Sequence, residues 1–555
     1  MTGELTVPNK PQPRLEWVLW IGVMLLTAAV KCLYVRGLRV ECDETQHLHV
    51  VWAWTQGLLP YRDVFDNHTP LFHMLCAPLL SFLGERGDII APMRWAMVPL
   101  YSGSLFCVYW MASRLYSRRT GLWAALLAGA WPSFLLITTE FRTDVLWTML
   151  WLCVLAVAFT APLSRIRLFF SGLLLGAAFM VSMKTSLLFV SLGAAIGVGL
   201  WIRAKSKEPA PFQHWLGIPL AGLLGACIVP LAIVAYFWAQ GALAQMEYCV
   251  LRHNVVPGAT SLSRYHEQHF VYFPLGLILI SLLGNAIFKA APDCSLGTRR
   301  AVLFMSTAFY LLTLNCWWPM VTRQDYLPVT PVLAILLTPL LMGGIRACLK
   351  HPIAGTLVPA GIVLVMLAQS AIGRHLGADH TKRTSLMISD ALKLTRPTDY
   401  LMDSKGESVY RRRPFYYALE GVTLRRIRLG LIKDSVPEDL VKTRTCVASL
   451  RRLQPKSEAW VTKHFVPVTP VWRVAGTLFP KLEPRQSVLF ETVIPAQYQI
   501  VSPAGPLQGI IDGVASSGPL FLEAGTHTLA CARRGPVAVI WAHAVETGFT
   551  PFHKK

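Results

Sequence analysis

The residues able to do chemistry gather in a few short stretches. The densest is Glu41-Cys42-Asp43-Glu44-Thr45-Gln46-His47, followed by Pro60-Tyr61-Arg62-Asp63-Val64-Phe65-Asp66-Asn67-His68-Thr69-Pro70. A second acidic spot is Thr138-Thr139-Glu140-Phe141-Arg142-Thr143-Asp144, and two isolated cations follow, Lys184 in Met183-Lys184-Thr185-Ser186 and Arg323 in Arg323-Gln324-Asp325-Tyr326. Carboxylates beside fixed cations suit a reaction in which a hydroxyl loses its proton while an anionic phosphate departs. One carboxylate activates the hydroxyl, and preorganised cations take up the charge on the leaving oxygen. Plainer roles stand beside these. Asp43 and Glu44 can cap a helix, Lys184 and Arg323 can snorkel to lipid headgroups, and Glu140 to Asp144 can be ordinary interfacial polarity, although ionisable groups at membrane depth by default mark function.

The elements that must position these residues are apolar helices. Of 555 residues, 54% are hydrophobic and only 15% charged, against about 25% charged in soluble chains, and mean hydropathy is +0.45. This excludes a soluble globular protein. Runs of about 18 or more apolar residues, enough to cross roughly 30 Å of hydrocarbon, give about 11 spans, near 17–35, 93–111, 121–139, 145–162, 168–183, 186–203, 216–239, 271–288, 301–316, 327–343 and 353–373. The net charge of +21 fits cytoplasmic loops rather than a nucleic-acid stripe. With the N-terminus cytoplasmic, Lys and Arg concentrate in the inner loops. Every polar cluster above then lies on the outer side, with the loops 36–92 and 240–270 and the C-terminal tail.

The expected fold is mainly α: a polytopic bundle over 1–373 and a soluble, outer-side region over 374–555. Leu48, Val51, Trp52 and Thr55 recur at helical spacing, which predicts an interfacial helix. A second is expected to start with Thr69 as N-cap and Pro70 at the first helical position. Segments around 385–394 and 437–453 look mixed α/β, and short strands near 487–494, 498–501, 509–514, 520–523, 526–531 and 537–543, punctuated by Gly513, Gly518, Gly525 and Gly535, predict a β-sandwich-like unit. The first apolar run is expected to be an uncleaved anchor, since no small-x-small cleavage site follows it. The 12 Cys include no C-x-x-C pair; Cys446 and Cys531 could pair in an oxidising compartment. His47, His49, His68 and His73 could hold a divalent ion with neighbouring carboxylates, but their spacing fits no ligand pattern, so no cofactor is expected to be required. The loop 240–270 could be a lid or a solvated connection, and Tyr410-Arg411-Arg412-Arg413-Pro414-Phe415-Tyr416-Tyr417 could meet headgroups or form a basic strand edge.

The order Asp43-Glu44 after the first span, then Gln56-Gly57, Pro60-Tyr61-Arg62-Asp63, His68-Thr69-Pro70-Leu71 and Arg142-Thr143-Asp144, resembles the bacterial C-type glycosyltransferases, relatives of the lipid A aminoarabinose transferase and the protein O-mannosyltransferases. The resemblance covers roughly residues 15–345. It implies a polyprenyl-phosphate sugar donor, transfer on the outer side of a bacterial inner membrane, Asp43 as general base with Glu44 beside it, and Asp144 as the second acid. It also implies His68, Lys184 and Arg323 near the donor phosphate. Arg142, Glu140, Asp63 and Arg62 complete the candidate substrate-binding set. Gln46 stands where some members carry an Arg that pairs with the second acid, a role Arg142 could take. A transporter or flippase, and a non-catalytic envelope protein that binds glycans, are the competing classes.

Overall fold

A computed structural model describes residues 14–162, 164–205, 217–255, 284, 294–318, 321–349, 353–373, 376–484 and 486–552. Up to Gly373 the described chain is helical. The helices are α1 (Arg14–Gly37), α2 (Cys42–Thr55), α3 (Leu71–Leu83), α4 (Ile90–Trp95), α5 (Met97–Leu115), α6 (Arg118–Ala130), α7 (Pro132–Ile137), α8 (Thr143–Phe159), α9 (Arg165–Phe179), α10 (Thr185–Lys205), α11 (Gly217–Ala239), α12 (Leu243–Glu247), α13 (Cys294–Trp317), α14 (Thr330–Leu349) and α15 (Ala354–Gly373). Each expected span other than 271–288, which apart from Gly284 lies outside the described residues, falls on described helix. The count of about eleven is not confirmed, however. Among the described residues four helices are both long and apolar enough to cross a membrane: α1, α11 from Leu220, α14 and α15.

Two expectations are corrected by proline chemistry. The span expected at 121–139 is split into α6 and α7 because Pro132 opens a new helix at its first turn, and a proline can neither donate to the preceding turn nor pack against it. Likewise Thr69 does not cap α3. Pro70 already has helical φ and ψ of −87° and −14° in the cap position, and the Thr69 hydroxyl is buried without a partner.

The bundle is tied through small residues and charged ends. A Cβ at Gly176 would stand 2.3 Å from the carbonyl oxygen of Ala226, so glycine is what lets α9 and α11 touch backbone to backbone. Leu220, Leu223, Leu224, Ile228 and Leu231 of α11 point outward, the apolar face that hydrocarbon would cover. At one end Glu16 accepts from Arg119 (2.7 Å) and Trp123 (3.0 Å), and Arg300 Nε donates to the Leu115 carbonyl (2.9 Å). Asp43, Glu140, Asp144, Lys184 and Asp325 gather at the other.

Beyond Gly373 come α16 (Lys382–Leu394), α17 (Gly421–Arg428), α18 (Val436–Lys442), α19 (Pro455–His464) and a strand-rich unit. Its larger sheet runs β1 (Leu401–Met402), β2 (Val447–Ala448), β4 (Arg473–Leu482), β12 (Gly535–Trp541), β6 (Ala496–Ser502), β10 (Leu520–Leu522), with β3 (Phe465–Pro467) against β4 and β7 (Gly505–Pro506) against β6. The smaller orders β5 (Ser487–Thr492), β11 (Gly525–Ala530), β8 (Gly509–Ile511), β9 (Val514–Ser516). Phe490, Ile511 and Leu529 of the small sheet share one core with Leu482, Ile500 and Val539 of the large one, which is the two-layer packing the turn spacing predicts. Cys446 and Cys531 are both buried free thiols, so no disulfide joins them. This region is docked on the helices: Val409 and Tyr410 belong to the same buried cluster as Leu48, Val51 and Phe141.

Candidate active site

Asp43 sits in the first turn of α2 with its side chain one-third exposed. Its Oδ2 pairs with the Arg142 guanidinium at 2.9 Å, and its Oδ1 with the ammonium of Lys405. Burial works against its charge, but Arg142 and Lys405 outweigh that and hold the carboxyl well below the usual carboxylate range. Arg142, at the N-terminus of α8, is also shared with Asp144 (3.2 Å) and Glu140 (3.4 Å). Thus Arg142 makes the pairing with the second acid that Gln46 does not supply.

Asp144 reaches on to Lys184, 3.9 Å away, and Lys184 is itself paired with Asp325. Asp325 is fully buried, and its Oδ2 accepts from the Thr322 backbone (2.7 Å) and hydroxyl (2.9 Å), which fixes it at the start of a single turn of 3-10 helix, Arg323–Tyr326. Burial disfavours the Lys184 charge, yet Asp325 and Asp144 raise its pKa above the ordinary lysine value. An ionic chain therefore runs Lys405, Asp43, Arg142, Asp144, Lys184, Asp325. Glu140 hangs from its middle. Burial pushes the Glu140 pKa up to about 8, against the pull of Arg142, so this carboxyl carries a proton at neutral pH.

The remaining sequence candidates divide. His68 is one-third exposed beside this chain, with Nδ1 2.9 Å from Asp66 Oδ1. Its ring lies edge-on to His47, whose Nδ1 is 3.0 Å from Nε2 of the buried His73. Arg62 and Asp63 pair with each other at 3.0 Å, and Asp63 accepts from the Leu59 N–H (2.8 Å), so this pair closes its own turn and Arg62 faces solvent rather than Asp43. Arg323 is exposed on its short helix, and no described contact joins it to Asp43. Glu44 points the other way. Its carboxylate receives two hydrogen bonds from Arg94 (2.6 and 2.7 Å), one from the Phe141 N–H (2.9 Å) and one from the Glu41 N–H (3.1 Å). That set saturates its oxygens and makes it an anchor between α2, α4 and the 138–142 turn, not an acid beside Asp43.

Lys405, Asp325, Asp66 and Arg94 were not singled out by sequence. Asp325 adjoined a candidate, and its capping position before an apolar run was a usable signal. Lys405 lies more than 350 residues from Asp43 in a region of soluble composition, and nothing local marks it. The basic run after Tyr410 braces the protein internally. Arg411 donates to the Thr395 carbonyl (3.0 Å) and Glu85 (3.0 Å), and Arg413 to Asp403 (3.0 Å). His49 is spent on the Val409 carbonyl at 2.8 Å, and among the described residues no group of three or more His, Cys, Asp or Glu is arranged to hold a metal ion. Of the loop 240–270, residues to Val255 are described and dock on the C-terminal region through His253 and Glu420 (3.3 Å). The rest of that loop, 256–270, lies outside the described residues.

The comparisons agree with the resemblance drawn from the motifs. Residues 67–224 match the family model for dolichyl-phosphate-mannose-protein mannosyltransferase, a segment that holds His68, Glu140, Arg142, Asp144 and Lys184. The fold is similar to that of ArnT from Cupriavidus metallidurans. The structure bound to undecaprenyl phosphate covers 83% of this chain and 98% of its own at 12% identity and a TM-score of 0.58. The apo structure covers 83% and 97% at 15% identity and 0.55. No curated protein sequence matches the chain.

Proposed function

We propose that this chain is a multi-pass membrane glycosyltransferase that moves a sugar from a polyprenyl-phosphate donor to an acceptor hydroxyl, at the end of the bundle where Asp43 lies. The observation that carries the reading is the partly exposed Asp43 carboxylate, set at the mouth of a cluster of fixed cations. The acceptor hydroxyl gives its proton to Asp43 as its oxygen attacks the anomeric carbon. The bond from that carbon to the phosphate oxygen breaks, and polyprenyl phosphate leaves with the bonding pair. An oxocarbenium-like transition state and in-line attack invert the anomeric centre. Lys184 and Arg142 supply preorganised positive potential for the departing phosphate, and His68 adds a partly exposed imidazole at the same mouth. No metal step is needed in this scheme. Support comes from the fold shared with a protein whose structure holds undecaprenyl phosphate and from the mannosyltransferase family match. The reaction side is the outer face of a bacterial inner membrane, with the C-terminal region on that same side.

The test is the purified protein in vesicles with a polyprenyl-phosphate sugar. Sugar transfer with release of polyprenyl phosphate is expected. Flux of the intact lipid without transfer would replace the reading with a flippase, and glycan binding alone would replace it with an envelope binding protein.

A further inference from the structure

The C-terminal region sends one cation into the Asp43 site, on a turn built to keep it there. Lys405 lies in Asp403-Ser404-Lys405-Gly406-Glu407-Ser408. The buried Asp403 carboxylate accepts from the backbone N–H groups of Gly406 (2.7 Å) and Ser408 (2.8 Å) and from Arg413 (3.0 Å). Arg413 also donates to the carbonyls of Asp403 and Ser404, each at 3.0 Å, and Glu407 takes Arg451 at 3.0 Å. The turn is pressed on α2: at Gly406, where φ is +88°, a Cβ would come within 2.5 Å of His49 Cβ. Only glycine serves there. The result is a lysine 3% exposed whose ammonium ends on Asp43.

The three cations of the ionic chain are not equally committed. Arg142 faces the carboxylates of Asp43 and Asp144 as well as the protonated carboxyl of Glu140, and Lys184 faces two carboxylates, Asp144 and Asp325. Among the described residues Lys405 has Asp43 as its one carboxylate partner, so it is the cation with most charge left to offer an anion. While Lys405 and Arg142 both hold Asp43, that carboxylate is a weak base, since strong pairing of the charged form opposes protonation.

We infer that Lys405 is a phosphate-binding residue that rests on Asp43 in the empty site and moves to the donor's phosphate when the lipid-linked sugar enters, freeing Asp43 to take the acceptor proton. This rests on the transferase reading. It makes the C-terminal region part of the catalytic apparatus, and it couples base strength to donor occupancy: only a site holding phosphate has an unclamped Asp43.

The experiment is binding of undecaprenyl phosphate to the full-length protein in detergent, for wild type, Lys405→Met, Lys405→Arg, Asp43→Asn and the double variant Asp43→Asn/Lys405→Met. Lys405→Met is expected to weaken binding by about tenfold or more, with Lys405→Arg retaining most of the affinity. Asp43→Asn is expected to bind more tightly than wild type because the competing carboxylate is gone, and the double variant loses that gain. A gain in affinity cannot come from misfolding. Wild-type affinity in Lys405→Met, or weakened binding in Asp43→Asn, overturns the assignment while leaving the transferase reading in place. Wild-type protein that binds no polyprenyl phosphate overturns both.

Discussion

Asp43 and Glu44 are adjacent in sequence and opposite in fate. The Glu44 side chain and its partner Arg94 are both completely buried, and every oxygen of Glu44 is bonded to atoms of the fold. Asp43 keeps a third of its side chain exposed and is held chiefly by two cations, borrowed from the start of α8 and from the C-terminal region. A single residue step separates the two directions, because consecutive side chains on a helix point about 100° apart. A dipeptide that looks like a pair of equivalent acids is an anchor and a working group, and burial with complete hydrogen bonding is what distinguishes them.

That contrast can be broken most forcefully at the anchor. Glu44→Ala or Arg94→Ala leaves a buried charge unpaired and should cost about 3–5 kcal/mol, seen as a large fall in melting temperature in detergent. If Glu44→Ala melts like wild type and loses transfer instead, the division of labour is reversed. Arg142→Ala should come next. It strips Asp43, Glu140 and Asp144 of their shared partner, so transfer should drop by roughly 10²–10³ with a smaller loss of stability; a rate within twofold of wild type would remove Arg142 from the site.

The smallest effect concerns Glu140. Its folded pKa of about 8 exceeds the ordinary value of 4.5, so the folded state binds a proton that the unfolded state releases. Stability must therefore fall as pH rises from about 4.5 through 8 and level off above it. Glu140→Gln mimics the protonated form and should flatten that slope with little change in melting temperature below pH 5. Melting curves taken across pH 5–9 check this, and an unchanged slope in the variant would place the ionisation elsewhere.

The charged end of the bundle was legible because hydropathy marks where helices stop, and Asp43, Glu140, Asp144 and Lys184 all fall at stops on one side. The strands of the C-terminal unit were legible from turn glycines and alternation. The ends of α6 and α3 were misplaced where Pro132 and Pro70 each shifted a helix start. What sequence could not give was partnership across distance. Glu44 is an anchor only because Arg94 comes from another helix, and Asp43 is clamped only because a turn near Lys405 docks on α2. Such contacts are set by tertiary packing, and no local pattern encodes them.

The central claim is that Asp43 performs the proton transfer in glycosyl transfer from a lipid phosphate. Its direct test compares wild type with Asp43→Asn in vesicles, following the initial rate of sugar transfer alongside donor binding. The account predicts a rate lower by about 10²–10⁴ with donor still bound. Near wild-type turnover in Asp43→Asn would contradict it.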